Sequence, residues 1–212
     1  MISTQPYPIS DLDAEERKEI LRGMIRQTRQ DRSPRARQRL ADQITEVVQH
    51  VPAIAQASCV ALYASTPAEP STDLVIDALA ARGVDVLLPV LGDGLERDWA
   101  LFRGVDDMAP RSPGRPPEPG GPRLGAEALA AADVVIAPAV AVDTAGTRLG
   151  QGGGWYDRAL AHRRDGVPVF AMVFDEEIYD AGVRPLPREK HDHGVDGVIT
   201  PTRWLDLRPG AE

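Results

Sequence analysis

The residues with the strongest chemical character lie between Arg148 and Arg158, in the run Arg-Leu-Gly-Gln-Gly-Gly-Gly-Trp-Tyr-Asp-Arg. A guanidinium precedes four glycines within five residues, and an aromatic-acidic-basic group follows. Glycines at this density remove side-chain obstruction and leave successive backbone N–H groups free to line a concavity for an anion. If a helix starts at Gly153 or Gly154 and runs to about Arg163, its first amides face the same anion. The combination suits a phosphorylated ligand; the plain alternative is a flexible turn before a surface helix. Two common nucleotide signatures are absent. No Gly-Lys-Ser/Thr triplet occurs, and Trp155-Tyr156 stands where a dinucleotide fingerprint needs its third glycine.

Other residues offer weaker chemistry. Lys18 and Arg22 are four apart and share one side of a helix; on local grounds they are two solvated cations. Glu69 sits in a proline-flanked loop after an apolar strand, where open α/β sheets place ligand contacts, although such an acid is commonly solvated. His191-Asp192-His193 has the residue types of a metal site, but alternating neighbours in a loop lack a third ligand, which favours a solvent-facing loop. Asp192 or Asp196 contacting magnesium through a bound nucleotide is the other reading. Cys59 lies in an apolar strand with no neighbour to activate a thiol. Neither a serine elbow nor a His-Glu-x-x-His helix is present, so covalent hydrolysis has little support.

These residues must be held by a chain of 212 residues, enough for a substantial core in one domain. Hydrophobic residues make up 42% and charged residues 26%, a soluble globular balance. The net charge of −8 argues against nucleic acid or an acidic membrane as the main partner. There is no long apolar run and no basic segment leading into one, so a cytoplasmic setting is expected. The single cysteine excludes an internal disulfide framework and a cysteine-rich zinc site. No self-complementary stripe stands out, so a monomer rather than an obligate oligomer is the expectation.

The chain alternates helical and strand patterns. Residues 1–10 read as a loose arm. A helix follows from Asp11 to Gln30, with Leu12, Ile20, Leu21, Met24 and Ile25 on its apolar face. Ser33-Pro34 opens a second helix, with Leu40, Ile44, Val47, Val48 and Val51 inward. Ser58–Tyr63 is a strand, and Ser71 or Thr72 caps a helix through Arg82 that Gly83 stops. Val84–Val90 is a buried strand whose end Pro89 limits. Gly92-Asp93-Gly94 suggests a turn, Trp99–Phe102 a short strand, and Met108–Pro122 a surface loop containing Glu118. A short helix over Ala126–Ala132, strands at Asp133–Ala137, Val140–Val142 and Val167–Val173, a loop over Pro185–Asp192 and a last strand at Gly197–Thr200 complete the pattern; the tail frays from Pro209. The order predicts a three-layer α/β fold, a mostly parallel sheet flanked by helices, Rossmann-like without the dinucleotide fingerprint.

The segment from Asp143 through Gly146, Arg148-Leu149-Gly150, Gly152 and Gly154 to Trp155-Tyr156-Asp157-Arg158 resembles the hallmark of the 5-formyltetrahydrofolate cyclo-ligase family. Lys18 and Arg22, Tyr63 through Glu69, Glu118-Pro119, and Leu186-Pro187 through Asp192 fall in that family's order, so the resemblance covers about residues 14–202. It implies ATP-dependent conversion of 5-formyltetrahydrofolate to 5,10-methenyltetrahydrofolate, ADP and phosphate, with Mg²⁺. Lys18, Arg22, Arg148 and the Gly150-Gln151-Gly152-Gly153-Gly154 turn would hold ATP, with Trp155 and Tyr156 beside it. Arg148, Tyr156 and Asp157 would stand at the reaction centre, Tyr63, Glu69 and Trp155 at the folate, and Asp192 near magnesium. Two positions depart from the family's usual pattern: Trp155 replaces the first tyrosine of a Tyr-Tyr-Asp run, and Val142 stands where phenylalanine is frequent. The alternatives are a non-catalytic folate or nucleotide-binding module, and an ATP-dependent enzyme for another small carboxylate or amide.

Overall fold

The computed structural model describes residues 5–8, 12–91, 97–110, 115–189, 192–208 and 210. Asp13 opens the first helix, α1 (Ala14–Gln30), with a reciprocal cap. Its carboxylate accepts from the Glu16 N–H at 2.9 Å, and Glu16 accepts from the Asp13 N–H at 3.2 Å. Such a cap contributes about 1 kcal/mol. Ser33 caps α2 (Pro34–Gln49), with proline at its first position. Next come α3 (Pro52–Ala55), β1 (Cys59–Leu62), α4 (Asp73–Ala81), β2 (Asp85–Val90), β3 (Asp98–Leu101), β4 (Met108–Pro110) and β5 (Pro117–Pro119). The second half holds β6 (Val134–Pro138), β7 (Ala141–Asp143), β8 (Arg148–Leu149), α5 (Trp155–Ala159), β9 (Val169–Met172), β10 (Ile178–Tyr179), β11 (Gly197–Ile199) and β12 (Trp204–Asp206).

The main sheet has the order β12-β11-β9-β6-β1-β2-β3. Its inner strands run parallel, while β3 and β12 are antiparallel edges. Successive strand residues point to opposite faces. Val60, Ala61 and Leu62 are all buried, so both faces of β1 are covered. The cover includes Ile44 and Val48 of α2, Val75, Ile76 and Leu79 of α4, and Tyr156 and Ala159 of α5. This is the expected helix-flanked, mostly parallel sheet. Its chain order reverses between β1 and β6, which opens a crevice at the carboxyl ends of those strands.

A second sheet, β10-β7-β8, presents Arg148. The turn from β7 to β8 is built on Asp143, which is 1% exposed. Its carboxylate accepts from the N–H groups of Ala145 (3.1 Å), Thr147 (2.8 Å) and Leu186 (3.0 Å). Gly146 in that turn has φ +80°, and a Cβ there would lie 2.6 Å from the Val195 carbonyl oxygen. Leu21 and Ile25 of α1 pack with Val140, Ala141, Leu149, Tyr179 and Leu186 in a separate apolar cluster. Full burial of a side chain such as Leu21 or Ile25 contributes about 1.5–3 kcal/mol. This cluster docks α1 beside the glycine turn.

Several local expectations change. On α1 the buried stripe is Lys18, Leu21, Arg22, Ile25 and Arg29, while Ile20 and Met24 are each 43% exposed. Lys18 and Arg22 are therefore not solvated; nearby carboxylates and carbonyls compensate them. Arg29, 2% exposed, makes a two-pronged pair with Glu177 at 2.8 and 2.7 Å and also reaches the Ala139 carbonyl at 2.8 Å. Burial works against its charge, and Glu177 more than offsets that, so Arg29 stays cationic. β2 ends at Val90 as expected, with Pro89 inside it. Pairing with β1 stops at Leu87, so at Pro89 the backbone faces β3 alone and one side has no ladder bond to lose.

Thr72 holds the N-cap position of α4 as expected but makes no side-chain cap bond, because its hydroxyl donates to the Tyr63 carbonyl at 2.8 Å. Met108–Pro122 is more than a surface loop, since β4 and β5 form an antiparallel ribbon and Glu118 is 1% exposed. The helix after the glycines ends at Ala159 and tightens into a 3-10 turn over Leu160–His162. Gly197–Ile199 is not the last strand, because β12 returns to pair with it. Of the expected loose arm, residues 5–8 are held against the far end of the chain: Gln5 donates to the Ile178 carbonyl at 2.7 Å, and Tyr179 donates to the Pro6 carbonyl at 2.8 Å. The Gly92-Asp93-Gly94 turn, His191 and Pro209 lie outside the described residues. Among the described residues, no helix is long and apolar enough to cross a membrane.

Candidate active site

A cleft of about 950 Å³ lies at the strand-order reversal. Tyr63 and Ala64 enter it after β1, Pro89 and Leu91 at the end of β2, and Pro138 at the end of β6. The site residues that the resemblance implies all line this one cleft: Lys18, Arg22, Tyr63, Glu69, Arg148, Gly150 to Gly154, Trp155, Tyr156, Asp157 and Asp192; Asp196, the other magnesium reading, does not, and its carboxylate accepts from the Val169 N–H at 2.8 Å. The lining residues arrive from α1, the loop after β1, β8 with its glycine turn, α5 and the loop before β11.

One end is cationic and internally balanced. Arg148 has a side chain 3% exposed; its Nη2 donates to Asp157 Oδ1 at 2.6 Å and its Nη1 to the Pro138 carbonyl at 3.2 Å. Its Nε is buried without a hydrogen-bond partner among the described residues. Lys18 Nζ donates to Glu189 and Asp192, both at 2.7 Å. Burial alone would lower the Lys18 pKa, but those two carboxylates outweigh it and raise the value above the ordinary lysine range. Lys18 is thus a fixed cation at neutral pH. Arg22 donates through Nε to the Gly150 carbonyl at 3.1 Å and through Nη1 to Glu15 (3.1 Å) and Glu19 (2.9 Å). Gly152 has φ +98°, and a Cβ there would meet the Arg22 guanidinium carbon at 3.5 Å, so a side chain would strain the turn and crowd the cation.

The other end is aromatic with one acid. Glu69 accepts through Oε2 from the N–H and hydroxyl of Thr66, each at 2.8 Å, and through Oε1 from Gln151 Nε2 at 2.7 Å. Tyr63 donates its hydroxyl to the Pro70 carbonyl at 2.8 Å, which shapes the loop carrying Glu69. Trp155 packs edge-on against Trp99 with centroids 5.1 Å apart and meets Tyr156 at 5.0 Å. The Tyr156 hydroxyl and the Trp155 indole nitrogen are buried with no partner among the described residues. Burial first, and the Glu69 charge second, push the Tyr156 phenol well above its ordinary pKa, with Arg148 opposing. Tyr156 is therefore a neutral donor between the acidic and cationic ends.

No cluster of three or more His, Cys, Asp or Glu side chains suited to a metal occurs among the described residues. Asp192 Oδ2 accepts from Lys18 and from the Glu189 N–H at 2.7 Å, and the His193 N–H donates to Asp157 at 3.3 Å. Asp192 thus meets the Lys18 ammonium.

Arg26 escaped the sequence reading, which also gave Arg158, Trp99 and His193 no role at this cleft. Arg26 Nη2 donates to the Gln151 carbonyl at 2.6 Å, and Arg158 Nη2 to the Gly153 carbonyl at 2.8 Å, so both brace the glycine turn. Trp99 backs the aromatic wall, and His193 lines the cleft. A signal for Arg26 was present: Lys18, Arg22 and Arg26 repeat every four residues along one helical stripe.

The 5-formyltetrahydrofolate cyclo-ligase family model matches residues 14–201. The chain is 38% identical over 151 residues to a 5-formyltetrahydrofolate cyclo-ligase of Mycolicibacterium smegmatis, covering 69% of this chain and 75% of that protein. It is 31% identical over 183 residues to the Escherichia coli protein of the same name, covering 85% of this chain and 98% of that one. In structure it is similar to Aquifex aeolicus 5,10-methenyltetrahydrofolate synthetase, with a TM-score of 0.76 and 24% identity over 92% of this chain and 95% of that one. The fold is shared as well with a 5,10-methenyltetrahydrofolate synthetase from Mycoplasma pneumoniae, at TM-score 0.66 and 19% identity over 87% of this chain and 98% of that one. The glycine hallmark and the elements that carry it thus have one explanation: the chain belongs to the 5-formyltetrahydrofolate cyclo-ligase family.

Proposed function

We propose that this protein converts 5-formyltetrahydrofolate and ATP into 5,10-methenyltetrahydrofolate, ADP and phosphate. The observation that carries the reading is the division of one cleft into a cationic, glycine-lined end and an aromatic end holding a single oriented acid. The first suits a triphosphate, and the second suits a flat heterocycle with N–H donors.

The reaction needs no covalent bond to the protein. The formyl oxygen on N5 attacks the γ-phosphorus of ATP and ADP leaves. N10 then attacks the activated formyl carbon, closes the five-membered ring and expels phosphate. The chain's task is alignment and charge stabilisation. Arg148, Lys18, Arg22 and the N–H groups of the Gly150–Gly154 turn would hold the phosphate oxygens. Asp157 fixes the Arg148 guanidinium, and Tyr156 stands between the two ends as a neutral donor. Glu69 would accept from the folate heterocycle, and Trp155 would lie against it. Mg²⁺ commonly binds through one or two carboxylates plus substrate phosphates, so Asp192 fits such a role without a wider acidic cluster. When bound, the ion supplies neutralisation of phosphate charge.

The test is incubation of the purified protein with 5-formyltetrahydrofolate and Mg-ATP. Methenyl product absorbance with one ADP per product is the expected result. Folate binding without turnover would leave a binding module, and ADP formation only with another carboxylate or amide would reassign the substrate.

A further inference from the structure

We propose that Gln151 is a positioning residue that couples the glycine turn to Glu69, so that nucleotide and reduced folate bind cooperatively. The proposal rests on the reading of the cleft as a joint site for those two substrates.

Gln151 carries the single side chain in a five-residue stretch that is otherwise glycine. Its Nε2 donates to Glu69 Oε1 at 2.7 Å, across 82 residues of sequence. On the other side, Arg26 Nη2 donates to the Gln151 backbone carbonyl at 2.6 Å and approaches its Oε1 at 3.4 Å. A carboxylate only accepts and a guanidinium only donates. Both neighbours therefore orient the amide the same way, with its oxygen toward Arg26 and its nitrogen toward Glu69.

The carboxylate has little capacity left. It offers about four acceptor positions. The Thr66 N–H and hydroxyl take two on Oε2, and Gln151 takes one on Oε1. The remaining position is on Oε1, the atom Gln151 already holds. A donor on the folate heterocycle would thus share one oxygen with Gln151. A nucleotide that fixes the glycine turn fixes Gln151, and with it the direction in which Glu69 can accept. A folate that fixes Glu69 steadies the turn in return. That reciprocity is required of any coupling between two binding sites.

The experiment measures the 5-formyltetrahydrofolate dissociation constant by calorimetry, with and without Mg²⁺ and a non-hydrolysable ATP analogue. It compares the intact chain with Gln151→Met, which keeps side-chain length and removes the donor, and with Arg26→Ala, which releases the amide's orientation. In the unsubstituted protein the analogue should tighten folate binding on the order of 10-fold, and folate should tighten the analogue by the same factor. Gln151→Met should bring that factor to within about 2-fold of unity, and Arg26→Ala to an intermediate value, relative to the same coupling scale. Wild-type coupling in Gln151→Met, or none in the unsubstituted protein, overturns the proposal. If Gln151→Met loses its cooperative melt, unchanged coupling in Arg26→Ala overturns it and reduced coupling supports it. Turnover assayed in parallel separates the two claims. Absence of methenyl product from the unsubstituted protein counts against the functional reading, whereas product with unaltered coupling counts against Gln151 alone.

Discussion

Arg148→Ala probes the cationic end most directly. The arginine's Nη1 and Nη2 are held by the Pro138 carbonyl and Asp157, and its Nε is buried without a partner among the described residues. A guanidinium has five N–H donors, so this one retains donors for phosphate oxygens after its protein contacts are made. Losing one preorganised donor at developing charge costs about 2.7–4 kcal/mol, or roughly 100- to 1000-fold in turnover. The alanine variant also leaves the Asp157 carboxylate, 21% exposed, without its guanidinium beside the proposed phosphate site. Part of the loss should therefore be repulsion. Adding Asp157→Asn to Arg148→Ala should recover some ATP affinity without restoring turnover.

Arg148→Lys supplies a third point on the scale. It keeps the charge but has no planar fork to reach Asp157 and the Pro138 carbonyl together, so its turnover should fall between the other two. The assay is single-turnover formation of the methenyl product at saturating Mg-ATP, with a thermal melt of each variant to confirm folding. Removing one partner of a buried pair destabilises by about 3–5 kcal/mol in unfavourable cases, so the rates are compared well below each midpoint. An alanine variant that melts cooperatively and turns over within about 3-fold of the unsubstituted protein would refute the assignment, because the donor argument requires far more.

Glu69→Gln should raise the KM for 5-formyltetrahydrofolate about 10-fold or more, the scale of a hydrogen bond to a charged group, while affinity for an ATP analogue measured alone stays nearly constant. Equal losses in both would contradict the division of the cleft. Arg29→Met strands the buried Glu177 carboxylate and should cost about 3–5 kcal/mol in urea unfolding, much of it recovered by adding Glu177→Leu. A small loss, or no recovery, would show that the pair is not the source of the cost. Burial, with Asp85 and Asp133 adding to it, pushes the Cys59 thiol up to about 11. Its iodoacetamide labelling in the folded protein should therefore be slow at neutral pH and rise toward pH 11, since only the thiolate reacts. A labelling rate that levels off near the ordinary thiol value would count against that burial.

The strands were legible because they are short apolar runs bounded by turn residues, and a parallel strand buried on both faces needs nothing subtler. Cys59–Leu62, Val134–Pro138 and Val169–Met172 are of this kind. The α1 stripe departs from its apolar period for a reason that periodicity cannot repair. Hydropathy ranks Ile20 and Met24 above Lys18 and Arg29, yet the cations are inside. Their partners, Glu177 for Arg29 and Glu189 with Asp192 for Lys18, are 148, 171 and 174 residues away. A charge is buried only where its compensation is assembled, and no window along one helix contains that information.

The same distinction separates the legible and illegible parts of the cleft. The glycine turn was visible because its chemistry is local: backbone amides, positive φ and a preceding arginine all occur within one segment. The arrangement that joins it to Glu69 is not local. Glu69 is oriented by Thr66 from its own loop and by Gln151 from the turn, and Gln151 is oriented in turn by Arg26 on α1. These segments meet because Leu21 and Ile25 dock α1 onto the small sheet and the sheet order reverses between β1 and β6. The proposed phosphate-binding capacity is thus written in a motif. The alignment of that motif with the acid depends on how two apolar clusters pack, so substitutions far from the cleft that shift α1 should disturb folate use before they unfold the chain.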